Sequence, residues 1–464
     1  MKRIAIIGGG ISGLSALHFL KQAAGDSLEI TLFEKDRRPG GTIDTDRSDG
    51  FISDWGPNGF LDKVPLTLSM VDELGLRPFL EPASPKAEKR FIYRHNCLHE
   101  ITPSPFKFLG SPLLTLPGRL RLVCEPFVKA KKDELEEPIF DFAVRRIGRE
   151  AAENMIVPMV SGIFGGDAKK LSLPACFPIM AEMEKEYGSL FKALIARKKA
   201  GSNAGPAGPS GRLTSFKNGL YTLIETMHRR YGDYIKTGIE VVRIDKSEDG
   251  FHLHFKSREP EVFETVFCAT PSLAAANFFS GMDKKLQALL ESIPYASISV
   301  VSLGYYRRDV RHNLEGFGFL VPRNQNLRIL GSIWTSSIFK DSAPPGMVLF
   351  RTMVGGATDP EAVYLAEPEL IRVVENELNR IVGLEGKPVY TRVFKYEQGI
   401  PQFVMGHPQK MKQLEGFEKQ YPGLYFTGNA YDGVGLNDCV IRSEKVVTRF
   451  LIRDKDFKWI SFDR

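Results

Sequence analysis

The stretch MKRIAIIGGGISGLSALHFL, residues 1–20, decides the fold. Residues 3–7 form a short apolar run, which predicts a buried parallel strand, and residues 12–24 carry apolar side chains at helical spacing. Gly8, Gly10 and Gly13 lie between them with the spacing of a dinucleotide-binding turn. The first glycine allows a tight turn, the second lets a pyrophosphate approach the backbone, and the third lets the helix pack closely on the strand. The helix N-terminus would offer N–H groups to the phosphates.

A second predicted strand supports this interpretation. Residues 28–33 are apolar and end in Glu34, which lies 21 residues after Gly13. An acid at this place binds a ribose hydroxyl in dinucleotide-binding folds. A glycine-rich turn without a ligand is the alternative, because the glycine triplet alone is weak evidence.

Length and composition exclude several classes of protein. A chain of 464 residues predicts two or three domains, and its 43% hydrophobic and 25% charged residues are typical of a globular protein. No run of about 18 apolar residues occurs, so we predict no transmembrane helix. The N-terminal apolar run is too short for a signal peptide, and we expect no transit peptide before it. Five scattered cysteines without a Cys-x-x-Cys pair argue against a zinc ribbon and fit a reducing compartment.

Charge and histidine patterns point away from nucleic acid and from metals. The net charge of +6 is mild, and the basic residues are not interleaved with aromatic ones, so we expect no nucleic-acid partner. An anionic substrate or an anionic membrane surface suits this balance. His252 and His254 alternate on a predicted strand without further ligands, so we expect a solvent-facing pair and no metal site.

The segment after the second predicted strand contains two glycine-rich loops, an arginine on a predicted strand and an apolar stretch broken by prolines. Arg38 precedes two glycines and could neutralise phosphate, and residues 54–60 form another glycine- and proline-rich turn. Arg90 lies on a short predicted strand, either as a surface arginine or as a cation at a pocket rim that could pair with a carboxylate. Residues 102–130 are apolar, proline-broken and partly basic, which fits either a core layer or a membrane-facing patch. The low-complexity loop at residues 200–211 marks a boundary.

The second half of the sequence predicts a separate sheet and further strands of the dinucleotide-binding sheet. Aromatic and β-branched runs at residues 298–306, 316–321, 329–334 and 347–354 predict a mostly antiparallel sheet. Residues 265–269 and 425–428 would rejoin the dinucleotide sheet, and a glycine turn at 433–435 opens a last helix. The two phosphate-type elements lie about 420 residues apart, and no second nicotinamide fingerprint occurs between them, which favours FAD over NAD.

Taken in order, the whole chain resembles the oxygen-dependent protoporphyrinogen oxidase family. The N-terminal motifs are shared with amine oxidases and phytoene desaturases, whereas three later motifs are more specific. These are Ser-Gly-Ile-Phe-Gly-Gly-Asp at residues 161–167, Gly-Ile-Pro-Gln at 399–402 and Gly-Leu-Asn-Asp-Cys at 435–439. The fold expected from this resemblance is α/β (multi-domain α+β): a Rossmann-type FAD-binding domain with inserted mixed-sheet and helical domains. The FAD-binding domain would comprise residues 1–80, 212–272 and 415–464, the substrate domain 81–100 and 273–414, and a helical, membrane-associating domain 101–211.

The resemblance also implies site residues. Arg90 would pair with a substrate propionate, Ile333 and Met353 would sandwich the macrocycle, and the backbone of Gly162 would face the substrate. Tyr396 stands where many relatives have a Trp near the flavin. The complete set of implied FAD-binding residues is Gly8, Gly9, Gly10, Ile11, Ser12, Gly13, Glu34, Lys35, Arg38, Gly41, Thr42, Gly56, Pro57, Asn58, Gly59, Val242, Tyr396, Val434, Gly435 and Leu436.

The implied reaction is the six-electron oxidation of protoporphyrinogen IX to protoporphyrin IX, with dioxygen as acceptor and hydrogen peroxide as product. We expect no catalytic side chain, because positioning and the flavin would carry the chemistry. Implied partners are the membrane surface, a chelatase for the next step and a second copy in a homodimer, with the protein in the cytoplasm or peripheral on the cytoplasmic face of the membrane. The alternatives are coproporphyrinogen III oxidation, a flavin amine oxidase, and a non-enzymatic interaction protein on a membrane.

Overall fold

The computed structural model describes residues 1–101, 112–131, 133, 135–199 and 211–453. Part of the expected membrane patch, residues 102–111, and nearly all of the boundary loop, residues 200–210, lie outside the described residues. Among the described helices, none has the length and the apolar character needed to cross a bilayer. The strands, in chain order, are β1 (Lys2–Ile7), β2 (Leu28–Glu34), β3 (Thr45–Ser48), β4 (Phe51–Asp54), β5 (Phe60–Leu61), β6 (Leu80–Pro82), β7 (Arg90–Arg94), β8 (Cys97–Ile101), β9 (Leu213–Phe216), β10 (Ile235–Thr237), β11 (Val241–Ser247), β12 (Gly250–Phe255), β13 (Glu261–Phe263), β14 (Thr265–Cys268), β15 (Tyr295–Tyr306), β16 (Gly318–Leu320), β17 (Ile329–Trp334), β18 (Met347–Gly355), β19 (Tyr390–Pro401) and β20 (Leu424–Phe426).

A five-stranded parallel sheet contains the N-terminal motif. Its order is β10–β2–β1–β14–β20, so the first strand lies at the centre. The predicted return of β14 and β20 to this sheet is confirmed. Sequence analysis missed β10, a strand of only three residues with one exposed lysine, because so short a segment has no clear alternating pattern.

Both faces of the parallel sheet are covered, as a buried parallel sheet requires. One face packs against the helices Ile11–Ala24, Tyr221–Tyr231 and Leu436–Arg453, with the apolar residues of Pro65–Glu73 alongside. The other face packs against a three-stranded sheet, β11–β12–β13, and the helices Ser272–Phe278, Lys284–Glu291 and His407–Gln420. The strand ends carrying the glycine turn are therefore held between two apolar layers.

A seven-stranded sheet forms the second large unit. Its order is β19–β15–β18–β17–β16–β7–β8, and all pairs are antiparallel except β16 with β7. The mostly antiparallel sheet expected from the sequence is thus confirmed, with β7 and β8 added from the first hundred residues. The helix Glu367–Val382 packs against one face through Leu370, Val374 and Leu378. The other face is left for the site described below.

The helical segment is more broken than its apolar patterns predict. The single helix expected over residues 140–160 ends at Gly148, where φ is +88°. The helix expected over 175–199 is also interrupted, and this prediction of continuity was wrong because Phe177 and Gly188 end successive helices. The described segments are Leu116–Val123, Ile139–Ile147, Arg149–Ala151, a π-helical turn at Ala152–Ile156, Val157–Phe164, Leu173–Cys176, Pro178–Tyr187 and Leu190–Lys199.

The remaining regular segments are short. Small two- and three-stranded sheets pair β3 with β4 and β9 with β5 and β6. One short α-helix, Thr335–Ile338, follows β17. Single 3-10 turns lie at Arg77–Phe79, Pro85–Glu88, Glu125–Phe127, Gly232–Tyr234, Arg307–Asp309, Arg323–Gln325, Lys340–Ser342 and Pro360–Tyr364.

Candidate cofactor and substrate site

One cavity of about 910 Å³ connects the carboxyl ends of the parallel strands with the free face of the seven-stranded sheet. Residues from the glycine turn, the loop after β4, the strands β15, β17, β18 and β19, and the start of the last helix all line it. Ligands of open α/β sheets bind outside the carboxyl ends of the strands, so this is the expected place for a dinucleotide. Of the predicted residues, the cavity lining includes Gly8, Gly10, Ile11, Ser12, Glu34, Lys35, Gly41, Thr42, Gly56, Pro57, Asn58, Gly162, Val242, Ile333, Met353, Tyr396, Val434 and Leu436.

The three glycines of the first turn have different surroundings. A Cβ atom on Gly13 would overlap the carbonyl oxygen of Gly8, so the helix can approach the strand only without a side chain there. A Cβ on Gly10 would meet no atom of the described residues within 4 Å, because the space in front of it is open. This open cradle at a helix N-terminus fits a pyrophosphate.

Glu34 lies next to this cradle and is held by backbone N–H groups. Its Oε2 accepts a hydrogen bond of 2.6 Å from the Gly9 N–H, and its Oε1 accepts one of 2.9 Å from Asp36. The side chain is nearly buried but still lines the cavity. A carboxylate fixed in this way can accept hydrogen bonds from ribose hydroxyls.

Several buried polar atoms along the cavity have no partner within the described part of the chain. They include the Trp55 Nε1, the Asn58 Nδ2 and the hydroxyl of Tyr396. Burial raises the pKa of Tyr396 to about 12, so its hydroxyl stays protonated and can donate. Buried polar groups in native proteins are normally satisfied, so these atoms indicate a polar ligand in the cavity. The residues present therefore fit a dinucleotide with a heterocyclic ring such as FAD.

The last helix closes the far end of this region. Val434 and Leu436 line the cavity at the start of the helix Leu436–Arg453, and Asp438 accepts a 2.9 Å hydrogen bond from the Gly435 N–H. Cys439 also lines the cavity, and burial raises the pKa of its thiol to about 12. A thiol that remains protonated is a poor nucleophile, so Cys439 is suited to packing.

The more specific motifs meet where the helical segment covers the cavity. Gly162 and Ile163 lie on the helix Val157–Phe164, and Gly162 is so close to Leu320 of β16 that a Cβ there would clash. The buried Gln402 donates a 2.8 Å hydrogen bond from Nε2 to the carbonyl of Phe164. The motifs at residues 161–167 and 399–402 thus meet at the cavity, whose lining also includes Ile333 and Met353.

Six predicted residues lie outside the lining of this cavity. Gly9, Gly13, Gly59 and Gly435 belong to its turns, and Arg38 forms a 2.7 Å ion pair with Asp44. Arg90 is exposed at the first residue of β7, with its guanidinium 5.1 Å from the centre of the Phe317 ring. Arg90 forms no ion pair with any described residue, so its charge is available to an anionic group of a ligand.

Sequence reasoning missed Arg351 of β18. This side chain is buried, at 6% exposed, and lines the cavity among apolar neighbours. Its Nε donates to the carbonyl of Asp54 at 3.2 Å, and its Nη2 donates to the carbonyls of Trp55 and Gly56. One arginine inside the apolar run VLFRTMVG was the available signal, since a central strand rarely carries an unpaired charge.

Comparison with known proteins shows which family the chain belongs to. The model of the flavin-containing amine oxidoreductase family matches residues 11–449. The chain is similar to coproporphyrinogen III oxidase of Bacillus subtilis, at 30% identity over 96% of this chain and 97% of the relative. It is also similar to a chloroplastic protoporphyrinogen oxidase of Oryza sativa, at 31% identity over 94% of this chain and 85% of the relative.

A solved structure has the same architecture. A candidate protoporphyrinogen oxidase from Exiguobacterium sp. 255-15 superposes with a TM-score of 0.85 at 25% identity, covering 98% of this chain and 99% of the other. The family and these relatives support FAD as the ligand for the cradle and the orphaned polar atoms. The chain belongs to the flavin-containing amine oxidoreductase family, as an FAD-dependent oxidase of the porphyrinogen oxidase group.

Proposed function

We propose that this protein oxidises a porphyrinogen to the corresponding porphyrin, passing six electrons to three molecules of dioxygen and forming three of hydrogen peroxide. One observation carries the proposal: a single cavity joins the dinucleotide cradle to an apolar wall formed by Ile333, Met353 and Gly162. A flat, apolar macrocycle lying on that wall would be adjacent to the cofactor ring. The names of the relatives support the substrate class.

The chain's own residues would bind the cofactor and orient the substrate beside it. When bound, FAD would supply a hydride acceptor that dioxygen can reoxidise between rounds. The Gly8–Gly13 turn would hold the pyrophosphate, Glu34 the ribose, and Trp55, Asn58 and Tyr396 the polar edge of the ring system. The side chains of Ile333 and Met353 exclude water from the reacting carbon. We assign no catalytic acid or base, since the described wall beside Gly162 carries apolar side chains.

Protoporphyrinogen IX and coproporphyrinogen III are the two substrates to compare. Relatives named for each have about 30% identity to this chain, so identity alone does not favour either. A flavin amine oxidase is the more distant alternative. That class binds a neutral amine, which has no use for the charges of Arg90 and Arg351 beside the wall.

Aerobic turnover of both porphyrinogens tests the proposal. We expect the purified protein to be yellow, to generate fluorescent porphyrin from at least one of them, and to form three peroxides per porphyrin. Putrescine and benzylamine serve as amine controls and should give no peroxide. Oxidation of an amine without oxidation of either porphyrinogen would contradict the proposal.

We also propose that the protein docks peripherally on an anionic membrane through the helix Leu116–Val123 and the turn after it. Leu116, Leu120 and Phe127 are 68%, 59% and 86% exposed, and Val123 is 44% exposed. The spacing of Leu116, Leu120 and Val123 places these three on one face of the helix, and Phe127 lies in the turn that follows. Exposed clusters of this kind mark interaction surfaces, and the segment precedes the helices that cover the cavity.

Vesicle binding tests the docking face. The double variant Leu120→Glu, Phe127→Glu should lose most of its co-sedimentation with phosphatidylglycerol vesicles while it retains porphyrinogen oxidation in detergent-free solution. Tyr364→Glu is the matched control, because Tyr364 is 65% exposed on a different part of the molecule. Equal sedimentation of both variants would contradict docking through this helix. Cytoplasmic location, a chelatase partner, a homodimer and the three-domain division at residues 80, 100, 211, 272 and 414 stay predictions.

A further inference from the structure

Two arginines lie at different places on one row of the seven-stranded sheet. Strand pairing places Arg90 of β7 opposite Gly318 of β16, Gly318 opposite Ile333 of β17, and Ile333 opposite Arg351 of β18. Residues directly opposite in neighbouring strands project to the same face of a sheet. Arg90 and Arg351 therefore face the same side, three strand spacings or roughly 14 Å apart at their Cα atoms.

Arg351 is a buried cation that contacts no anion among the described residues. Its Nε and Nη2 are used by the carbonyls of Asp54, Trp55 and Gly56, whereas its Nη1 donates to no residue in the described ranges. Asp54 partly compensates the charge at longer range but is itself engaged by the Thr45 hydroxyl and the Leu220 N–H. A buried guanidinium is costly unless paired, so the free Nη1 side indicates a place for an anionic ligand group.

The residues between the two arginines are apolar or lack a side chain. Gly318 carries no side chain, Ile333 and Met353 line the cavity, and Gly162 of the helix Val157–Phe164 lies against Leu320 of β16. Within the described residues, no carboxylate forms an ion pair with either arginine. From β7 to β18, the row therefore consists of an exposed cation, an apolar platform and a buried cation.

We infer that Arg90 and Arg351 together bind one substrate whose carboxylates lie on opposite edges of an apolar macrocycle. This inference rests on the proposed function and favours one of its two candidate substrates. Coproporphyrinogen III carries four propionates, two on each half of the ring, whereas protoporphyrinogen IX keeps only the two on one half. Coproporphyrinogen III can place a propionate against the second, buried cation. Protoporphyrinogen IX would place a vinyl-bearing edge there instead. Arg351 is thereby a specificity-determining residue for the tetracarboxylate.

A third arginine on the same row provides a matched control. Arg392 of β19 is opposite Ser302, which is opposite Arg351, but Arg392 already pairs with Asp46 at 3.0 Å. Its charge is satisfied within the chain, so its removal should not change which porphyrinogen is preferred. Arg351→Gln keeps hydrogen-bond donors for the loop carbonyls, and Arg351→Lys keeps the charge.

The experiment compares kcat/KM of the holoenzyme for the two porphyrinogens across Arg351→Gln, Arg351→Lys, Arg90→Gln and Arg392→Gln. We expect Arg351→Gln to lower the value for coproporphyrinogen III by about ten- to a hundred-fold and that for protoporphyrinogen IX by about twofold or less. Arg351→Lys should recover part of the loss, and Arg90→Gln should lower kcat/KM for both substrates. Arg392→Gln should leave the ratio of the two kcat/KM values unchanged. Binding of coproporphyrin III and mesoporphyrin IX, followed by fluorescence quenching, should show the same selectivity without turnover.

Bound FAD per chain and the reduction potential of the flavin separate the alternatives. Both should be unchanged in Arg351→Gln if the arginine serves the substrate. Equal losses on the two porphyrinogens, or a loss explained by lower FAD content or a shifted potential, would overturn the assignment of Arg351 alone. A wild-type protein that oxidises neither porphyrinogen would overturn the proposed function and this inference with it.

Discussion

At the scale of single residues, neighbouring glycines of the same turn have separable roles. Gly13 is required by the protein, since a side chain there would overlap the backbone of Gly8, whereas no atom of the described part of the chain lies within 4 Å of a Cβ at Gly10. The spacing of the sequence motif predicts this division of roles, with the second glycine for the pyrophosphate and the third for helix packing. The surroundings of Gly10 and Gly13 agree with it.

Gly10→Ala is therefore expected to abolish most FAD binding while it leaves the fold intact. The backbone of Gly10, at φ −72° and ψ 178°, is accessible to alanine, and its Cβ would project into the pyrophosphate position. Fluorescence titration of apoprotein with FAD should show a Kd raised at least about tenfold, with an unchanged urea midpoint. Gly416→Ala, in the helix His407–Gln420 with equally open surroundings, is the control and should bind FAD normally. Normal FAD affinity in Gly10→Ala would contradict a pyrophosphate at this turn.

Arg90→Ala should raise KM for a porphyrinogen by about tenfold and have little effect on kcat, because a carboxylate contact would be lost equally in the ground and transition states. Any residual amine oxidation should be unaffected. Steady-state kinetics with Arg229→Ala as the control measure this, since Arg229 is exposed on the helix Tyr221–Tyr231. Unchanged porphyrinogen kinetics would remove Arg90 from the site.

Arg351 shows the limit of sequence reasoning at this scale. Arg90 and Glu34 could be proposed from local patterns, since each lies on or after a recognisable strand. The role of Arg351 depends on the register of four strands from distant parts of the chain. Register is set by packing across the whole sheet, so an isolated strand pattern cannot provide it.

At the scale of elements, apolar patterns predicted where regular structure occurs better than where it stops. The strands of both large sheets were largely anticipated, but the helical segment was not divided correctly. Gly148 at φ +88° and the breaks at Phe177 and Gly188 allow short helices to turn around a buried charged group. That group is Arg146 with Glu125, and both side chains are fully buried.

This ion pair holds the helical segment together. Arg146 also donates to Glu184 at 3.2 Å, and Glu125 accepts hydrogen bonds from the Ser189 hydroxyl at 2.6 Å and the Leu190 N–H at 2.9 Å. Glu125 thereby caps the start of the helix Leu190–Lys199. The acid links three otherwise separate helical pieces, which an apolar pattern could not reveal.

Arg146→Met should destabilise the protein by about 3–5 kcal/mol, because it leaves Glu125 buried without its cation. Urea unfolding followed by far-UV circular dichroism measures the change, and Arg146→Met with Glu125→Gln should recover part of it. The control is Arg149→Met, which breaks an exposed i, i+4 pair with Glu153 at 3.4 Å and should cost less than about 1 kcal/mol. A cost for Arg146→Met as small as that of the control would mean that the buried pair contributes little.

At the scale of the whole molecule, the site exists only when segments from the first and last parts of the chain meet. Gly10 lines one cavity with Tyr396 and Leu436, which lie hundreds of residues later in the sequence. The N-terminal motif and the C-terminal glycine turn could both be recognised because each is a local strand–turn–helix signal. The apolar wall between them could be assigned only by resemblance, since nothing local distinguishes a cavity-lining strand from a core strand.

A ligand bound by such distant segments should stabilise them as a unit. If FAD binds only the folded chain, free FAD at 100 times its Kd adds about 2.7 kcal/mol to the free energy of unfolding. The apoprotein should therefore unfold at lower urea concentration than the holoprotein, with the parallel sheet and the last helix lost in the same transition. Differential protection in hydrogen exchange should appear both at residues 8–13 and at residues 434–440, because both ends contact the same ligand. Gly10→Ala should show neither the urea shift nor the paired protection. Protection confined to the N-terminal turn would contradict a single FAD site spanning the two ends of the chain, and would leave the C-terminal helix as part of the scaffold alone.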